Sequence, residues 1–389
     1  VSVPGGAFVA LVLGSAALGL LRRALPAAAG ARLLAAAGLI AAAAVTGPAL
    51  VGVLALAALA AAPGLSGGWA ARGLVALLIG QLLAWKLVGG AGPAGGRGPF
   101  PGYAELAVPA GLSFCTFRLL TLVAARVRGA PAPPAAELLA WLLFPPTFAA
   151  GPLVALGAFQ ADLRAPPPLG IAGLNAALAR LGAGLGKKFL LADPIGLAAQ
   201  PVLLQPEGHG PLQVAGAVYA CGLQLYLDFS ALTDVAIALG RLLGVRVPEN
   251  FDWPILAADL GTFWRRWHMT LHAFFRDHLL LPVFGRRPHG AWPWVGLFTT
   301  VLAFQLWHEL SARFLFLGLY HGLGVALTQA ALQARRRRPW LRALIGRAPR
   351  ALGVAFVWTW FCAGNVVFMG GVGQLPRVLR ALAAGLGPG

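Results

Sequence analysis

Apolar residues run along this chain in long blocks rather than in alternation. Ala, Leu, Gly and Val dominate Ala7–Leu21, about four runs within residues 1–91 broken near Pro26, Gly47-Pro48 and Pro63-Gly64, and then Leu106–Val127 and Leu138–Phe159. Further blocks follow at Val214–Leu243, Val295–Trp307, Phe314–Leu327 and Leu352–Val372, with a shorter run Val378–Leu386. Continuous runs of this length predict helices. At about 20 residues per crossing, the length predicts an all-α, polytopic membrane protein of roughly ten to twelve helices. A β-barrel would need two-residue alternation, which these runs lack.

Proline and glycine punctuate the blocks. Pro145-Pro146 and Gly151-Pro152 interrupt Leu138–Phe159, removing backbone donors in a way that membranes accept only where protein or a wet cavity covers the chain. A bent or re-entrant segment is expected there. Gly89–Gly102, Pro131–Pro134, Pro166–Pro168 and Arg286–Gly290 read as loops. The third of these leads to a helix expected to end at Lys187-Lys188, at the membrane interface. No internal repeat is evident.

Composition agrees. The 389 residues are 59% hydrophobic and 11% charged, with mean hydropathy +0.77, whereas a soluble domain carries about 25% charged residues. The net charge of +18 comes from clusters between apolar runs: Arg22-Arg23, Arg126 and Arg128, Lys187-Lys188 and Arg335–Arg338. This is the positive-inside pattern of cytoplasmic loops, so anionic membrane lipid is the expected counter-charge and nucleic acid is not an expected partner. The run Ala7–Leu21 ends at Arg22-Arg23 rather than at a small-residue cleavage site, and so reads as a first membrane helix. Cys115, Cys221 and Cys362 stand singly and offer no disulfide or zinc spacing.

One stretch breaks the apolar monotony. Val247–Gly285 gathers Asn250, Asp252, Arg265, Arg266, His268, His272, Arg276 and Asp277 among tryptophans. From Thr262 to His278 the spacing predicts one amphipathic helix. Trp264, Trp267, His268, Leu271 and Phe275 lie on one side, with Arg265, His272 and Arg276 on an adjacent stripe. An in-plane surface helix would explain the tryptophans and arginines but not His268 on the apolar side. Upstream, Val214–Leu243 carries Gln224, Asp228, Ser230, Thr233 and Asp234. Carboxylates at membrane depth cost about 2.5 kcal/mol or more and face a cavity or a partner. Asp228 and Asp234 point to different sides of an unbroken helix, with Arg241 and Arg265 as available partners.

His308, ending the run Val295–Trp307, is the sharpest single residue. A neutral imidazole can take and return a proton near neutrality; an interhelical hydrogen bond is the structural alternative. Glu309 follows it, but position 312 is Ala, so no His-Glu-x-x-His zinc site exists. His268 and His272 could share an ion by spacing, yet no third ligand is evident, so no metal is expected. Neither a phosphate loop nor a Gly-x-Ser-x-Gly nucleophile elbow is present.

Several ordered motifs together resemble the membrane-bound O-acyltransferase superfamily, in its bacterial branch of alginate O-acetylation and teichoic-acid D-alanyl transfer proteins. They are Asp228-Phe229-Ser230, Thr233-Asp234, Pro248-Glu249-Asn250-Phe251, Phe263-Trp264-Arg265-Arg266-Trp267-His268, Arg276-Asp277, Trp307-His308 and Tyr320-His321-Gly322. Earlier landmarks are Gly111–Phe114 with Thr116-Phe117, Ala150-Gly151-Pro152, and Lys187-Lys188 with Ala192-Asp193. The resemblance covers roughly residues 106–325.

That resemblance implies a single membrane-embedded domain over 1–389: N-terminal helices to 105, a catalytic core at 106–325, and C-terminal helices at 326–389. It implies helices ringed around a central funnel, with His308 as catalytic base and His268 as a second tunnel histidine. Asp228, Ser230, Asp234, Asn250, Trp264, Arg265, Arg266, Trp267, Thr270, Glu309 and His321 are candidates for lining the tunnel or meeting substrate. No bound cofactor is implied. An acyl thioester, acetyl-CoA or an acyl carrier protein, arrives from the cytoplasm. A hydroxyl of a surface polysaccharide or glycolipid accepts on the outer side of the bacterial cytoplasmic membrane, with an extracytoplasmic acyltransferase or a carrier protein as a further partner. His268, Arg265 or a polar neighbour would orient the acyl group or stabilise the oxyanion. Glu309 replaces the family's usual Gly, Thr270 its Ser and His278 its Tyr. D-alanyl transfer from a carrier protein is the alternative enzyme reading. A transporter, with Asp228, Asp234 and the histidines as a proton or solute path, is the alternative outside enzymes; that class often shows inverted repeats, and no second copy of the His-rich stretch is evident.

Overall fold

The computed structural model describes residues 14–15, 17–46, 49–63, 65, 68–89, 111–148, 150–285, 292–338 and 349–384. The described residues are helical with no strand. The protein is an all-α membrane protein. Gly68–Leu87, Pro211–Leu242, Ala312–Arg335 and Arg350–Gly370 are long and apolar enough to cross a bilayer, and Ala27–Ala43, Ala49–Ala61 and Val295–His308 are shorter apolar helices. The expected loops at Gly89–Gly102 and Arg286–Gly290 lie outside the described residues, apart from Gly89 itself, the last residue of a helix. So does most of the first apolar run.

By internal packing the chain falls into two compact units, residues 1–184 with 232–249, and residues 185–231 with 250–389. The first unit holds α1 (Ala27–Thr46), α2 (Ala49–Ala61), α3 (Gly68–Gly89), α4 (Leu112–Val127), α5 (Ala135–Leu142), α6 (Pro145–Phe148), α7 (Leu156–Arg164) and nearly all of α8 (Gly170–Leu185). Leu34, Leu78, Leu119, Trp141, Leu143 and Phe159 are in its continuous apolar core. The expected break falls where the prolines stand: α5 stops at Leu142, Pro145-Pro146 open a single turn, and the chain leaves helix again before α7. Arg118, fully buried on α4, answers the carbonyls this break exposes. It donates to Trp141 O, Leu142 O, Thr147 O and Thr147 Oγ1 at 3.0, 2.6, 2.9 and 2.6 Å. A fork of guanidinium donors can span several acceptors where an ammonium could not.

The second unit begins where α8 passes into a π-helical turn, Gly186–Ala192, and continues as α9 (Asp193–Leu204). The expected end of a helix at Lys187-Lys188 is therefore not found. Helix instead continues through that π-helical turn directly into α9. The long helix α10 (Pro211–Leu242) belongs to this unit through Ala231 and to the first beyond it.

Next comes the stretch expected as one amphipathic helix, and it is broken. A 3-10 turn at Pro254–Leu256 leads to α11 (Leu260–Arg266), α12 (Met269–Phe275), a π-helical turn at Arg276–Leu280 and α13 (Leu281–Phe284). The break falls at Trp267-His268, with His268 in the left-handed region at φ 47°. Tertiary hydrogen bonds override the helical spacing there: Met269 N–H donates to Asn250 O and Asp252 N–H to Arg266 O. Asp259 caps α11 by accepting from Thr262 N at 2.8 Å. Helices α14 (Trp292–His308) and α15 (Ala312–Arg337) form a hairpin; α16 (Arg350–Gly370) and α17 (Gln374–Ala383) complete the unit. Gly318 permits the hairpin's close contact, since a Cβ there would lie 2.5 Å from the Leu302 side chain.

Candidate functional site

Two histidines of the second unit share one phenylalanine. Phe304 precedes His308 by one helical turn on α14, so both side chains lie on the same face. Its ring centroid is 5.5 Å from the His308 ring and 6.2 Å from the His268 ring. His308, half-buried at the last residue of α14, is walled by Trp307, Phe314 and Phe368 at 4.5, 5.5 and 6.0 Å. Aromatic walls limit water around the imidazole without supplying a charge.

His268 is 1% exposed. Its ring meets Phe229 of α10 edge-on at 4.8 Å. Nδ1 lies 3.1 Å from Asn250 Oδ1, which also receives Thr270 N–H at 3.2 Å and Thr270 Oγ1–H at 2.9 Å. Nε2 is buried without a hydrogen-bond partner among the described residues. Burial above all, then the neighbouring His308 and His272, hold His268 down to about 3. His272, one turn along α12, is held down to about 4 by burial, Arg276 and Arg265. Both imidazoles are neutral near pH 7.

Trp264 and Trp267 form the back of this region. Trp267 packs against Tyr226, Phe229, Phe251, Phe263 and Phe361, and so acts as scaffold. Trp264 touches Phe304 and His321 at 5.7 and 5.0 Å. His321 is buried on α15 beside Gly364, where a Cβ would come within 2.7 Å of its Nε2. Glycine at 364 is thus what lets α16 approach the histidine.

The remaining candidates are held by partners. Asp228, buried on α10, pairs with Lys188 at 2.8 Å, and Lys188 also pairs with Asp193 at 2.7 Å. Ser230 Oγ accepts from Lys187 at 3.4 Å. Asp234 belongs to the first unit, where Arg180 bridges it and Glu249. The expected partners Arg241 and Arg265 are displaced by basic residues 40 positions (Lys188 to Asp228) and 54 positions (Arg180 to Asp234) upstream in the chain, whose approach no local spacing encodes. Arg265 is exposed and donates to Thr262 Oγ1 at 2.7 Å. Arg266 pairs with Asp252 at 3.3 Å. Glu309 is held one turn on by Arg313 at 2.7 Å. Phe304, shared by both histidines, escaped the sequence reading, although its i, i+4 relation to His308 could have exposed it. No group of three metal-ligating side chains occurs among the described residues.

Fold and site define an all-α membrane protein with buried, neutral histidines among aromatic rings. The family model of the membrane-bound O-acyltransferases matches residues 116–374, from α4 to the start of α17. The chain belongs to that family. It is 27% identical to a teichoic acid D-alanyltransferase of Streptococcus thermophilus over 68% of this chain and 69% of the relative. It is 32% identical to a probable alginate O-acetylase of Pseudomonas syringae over 52% of this chain and 40% of the relative. A peptidoglycan O-acetyltransferase of Helicobacter pylori is 31% identical over 40% and 29%. The chain thus spans less than half of these two O-acetylases.

Proposed function

We propose that this protein transfers an acyl group, acetyl in the first instance, from a cytoplasmic thioester to a hydroxyl of a surface polysaccharide or glycolipid. The observation that carries the proposal is the pair of histidines, His308 and His268, both packed edge-on against Phe304 in a family of acyltransferases. His308 removes the acceptor hydroxyl's proton as the oxygen attacks the thioester carbonyl carbon. The carbon–sulfur bond then breaks, and the thiolate leaves and regains a proton. The half-buried position of His308 suits a base that must meet substrate yet stay largely desolvated.

The protein acts as a multi-pass component of the bacterial cytoplasmic membrane. Helix α15 runs from the His308 end to Arg335, about 35 Å at 1.5 Å per residue. With the arginine cluster on the cytoplasmic side, this length supports placing His308 toward the outer face, where a surface glycan arrives. An extracytoplasmic transferase would act on the product, and acetyl-CoA or a carrier protein would supply the thioester; no bound cofactor is needed. The D-alanyltransferase relative supports the second reading, transfer of D-alanine from a carrier protein.

The test is transfer of labelled acetyl from acetyl-CoA into envelope polymer, with wild type and His308→Ala at equal membrane expression. Label in the wild type that is lost in the variant is the expected result. Label unchanged by the substitution overturns the role of His308. Failure of acetyl-CoA alongside transfer from a charged carrier protein establishes the second reading instead.

A further inference from the structure

We infer that Asn250 and Thr270 fix His268 as the tautomer protonated at Nδ1, so that its Nε2 is a buried hydrogen-bond acceptor for a hydroxyl of the acceptor molecule beside the one that attacks. The inference deepens the acyltransferase reading and rests on it for the identity of the ligand, but not for the tautomer.

Thr270 N–H can only donate, and it points at the Asn250 side chain at 3.2 Å. The amide atom facing it must therefore be the oxygen; a flipped amide would set two donors against each other. That oxygen next receives the Thr270 hydroxyl at 2.9 Å. His268 Nδ1, at 3.1 Å from the same oxygen, can only donate to it. A neutral imidazole has one N–H, so Nε2 carries a lone pair. The main chain enforces the same arrangement. Asn250 O holds Met269 N–H at 2.9 Å, and His268 keeps a left-handed conformation at φ 47°, ψ 52°, one that a residue other than glycine adopts only when its surroundings impose it.

The consequence concerns chemistry. A lone pair cannot stabilise a developing oxyanion, so His268 does not serve as an oxyanion donor. It accepts instead, and the chemical class that fits is an O–H group. His268 thus orients the acceptor by receiving a hydrogen bond from a neighbouring hydroxyl of the same molecule, while His308 takes the proton of the hydroxyl that attacks. Asn250 acts through His268 and is a positioning residue. The titratable groups bearing on His268 are His308 from α14 and His272 from α12; Phe229 and Phe304 offer only ring edges and faces.

The test is nitrogen NMR of the full chain, labelled with [15N]histidine, in nanodiscs without substrate. The His268 signals are identified by their loss in His268→Gln. The expected result is a protonated Nδ1 and a pyridine-like, unprotonated Nε2; an N–H at Nε2 overturns the inference. This readout needs no activity, so it stands or falls separately from acyl transfer. A second set of variants tests the positioning role. Asn250→Ala is expected to mix the tautomers and lower kcat by roughly tenfold or more, as loss of tautomer control does in hydrolytic triads, with KM for the thioester unchanged. Asn250→Asp keeps an acceptor for Nδ1–H, so it is expected to retain the tautomer and move the acidic limb of the pH–rate profile upward. A tautomer mixture in Asn250→Asp, or an Asn250→Ala enzyme with wild-type kcat, removes the positioning role.

Discussion

The Lys188–Asp228 pair offers a quantitative test of whether an intramembrane carboxylate serves substrate or structure. Asp228 has a side chain 4% exposed and sits 2.8 Å from Lys188 Nζ; Lys188 is 18% exposed and keeps Asp193, itself 37% exposed, at 2.7 Å. The two partners are therefore unequal. Lys188→Met leaves a buried carboxylate without its lysine, a change worth about 3–5 kcal/mol. Asp228→Asn keeps shape and an acceptor, and the lysine retains Asp193, so the loss is that of one charge-assisted hydrogen bond, about 1.5–3 kcal/mol. In the double variant the buried charge is gone, and the cost should fall below the sum of the singles by about 1–3 kcal/mol. Unfolding in SDS, followed by tryptophan fluorescence in mixed micelles, gives all three values. Acyl transfer per folded molecule is read on the same preparations and should be retained in Asp228→Asn. Additive losses, or a larger cost for Asp228→Asn than for Lys188→Met, would refute the pairing argument. Loss of transfer in well-folded Asp228→Asn would return Asp228 to the substrate path.

Arg118 and the buried histidines extend the test to other parts of the molecule. Arg118→Leu should destabilise by about 3 kcal/mol or more, because several buried carbonyls lose their donor at about 1–3 kcal/mol each; Arg118→Lys should recover only part of this, and thermal unfolding of the purified protein compares them. Acid should also weaken the fold. His268 and His272 have folded values of about 3 and 4 against an ordinary 6.5. Below pH 6.5 the unfolded chain binds protons that the folded chain refuses, so the stabilisation is complete above that pH and is lost as pH falls toward 4. The apparent melting temperature should drop over that range, and His272→Gln should flatten the drop; an unchanged slope in the variant would assign the acid sensitivity elsewhere.

Much of this protein is legible in the chain itself. Unbroken apolar runs can satisfy their backbones in lipid only as helices, so Leu352–Val372 had to become something close to α16. The doublet Pro145-Pro146 had to end a helix, because proline cannot donate to the preceding turn. The chemistry-bearing residue types were visible as well, since histidine and aspartate are rare in apolar surroundings and stand out by number.

Partnership was not legible. Asp228 took Lys188 and Asp234 took Arg180, each from far upstream, because ion pairs at membrane depth are chosen by helix packing rather than by spacing along one helix. The periodic stretch from Thr262 to His278 read as one helix, yet Asn250 captures Met269 N–H and the His268 ring, and local propensity of a few tenths of a kcal/mol per residue gives way to such contacts. Spacing could place His268 on an apolar face. Only the tertiary structure decided which of its two nitrogens is free to act, because that depends on a backbone N–H delivered by the fold to the far side of an asparagine.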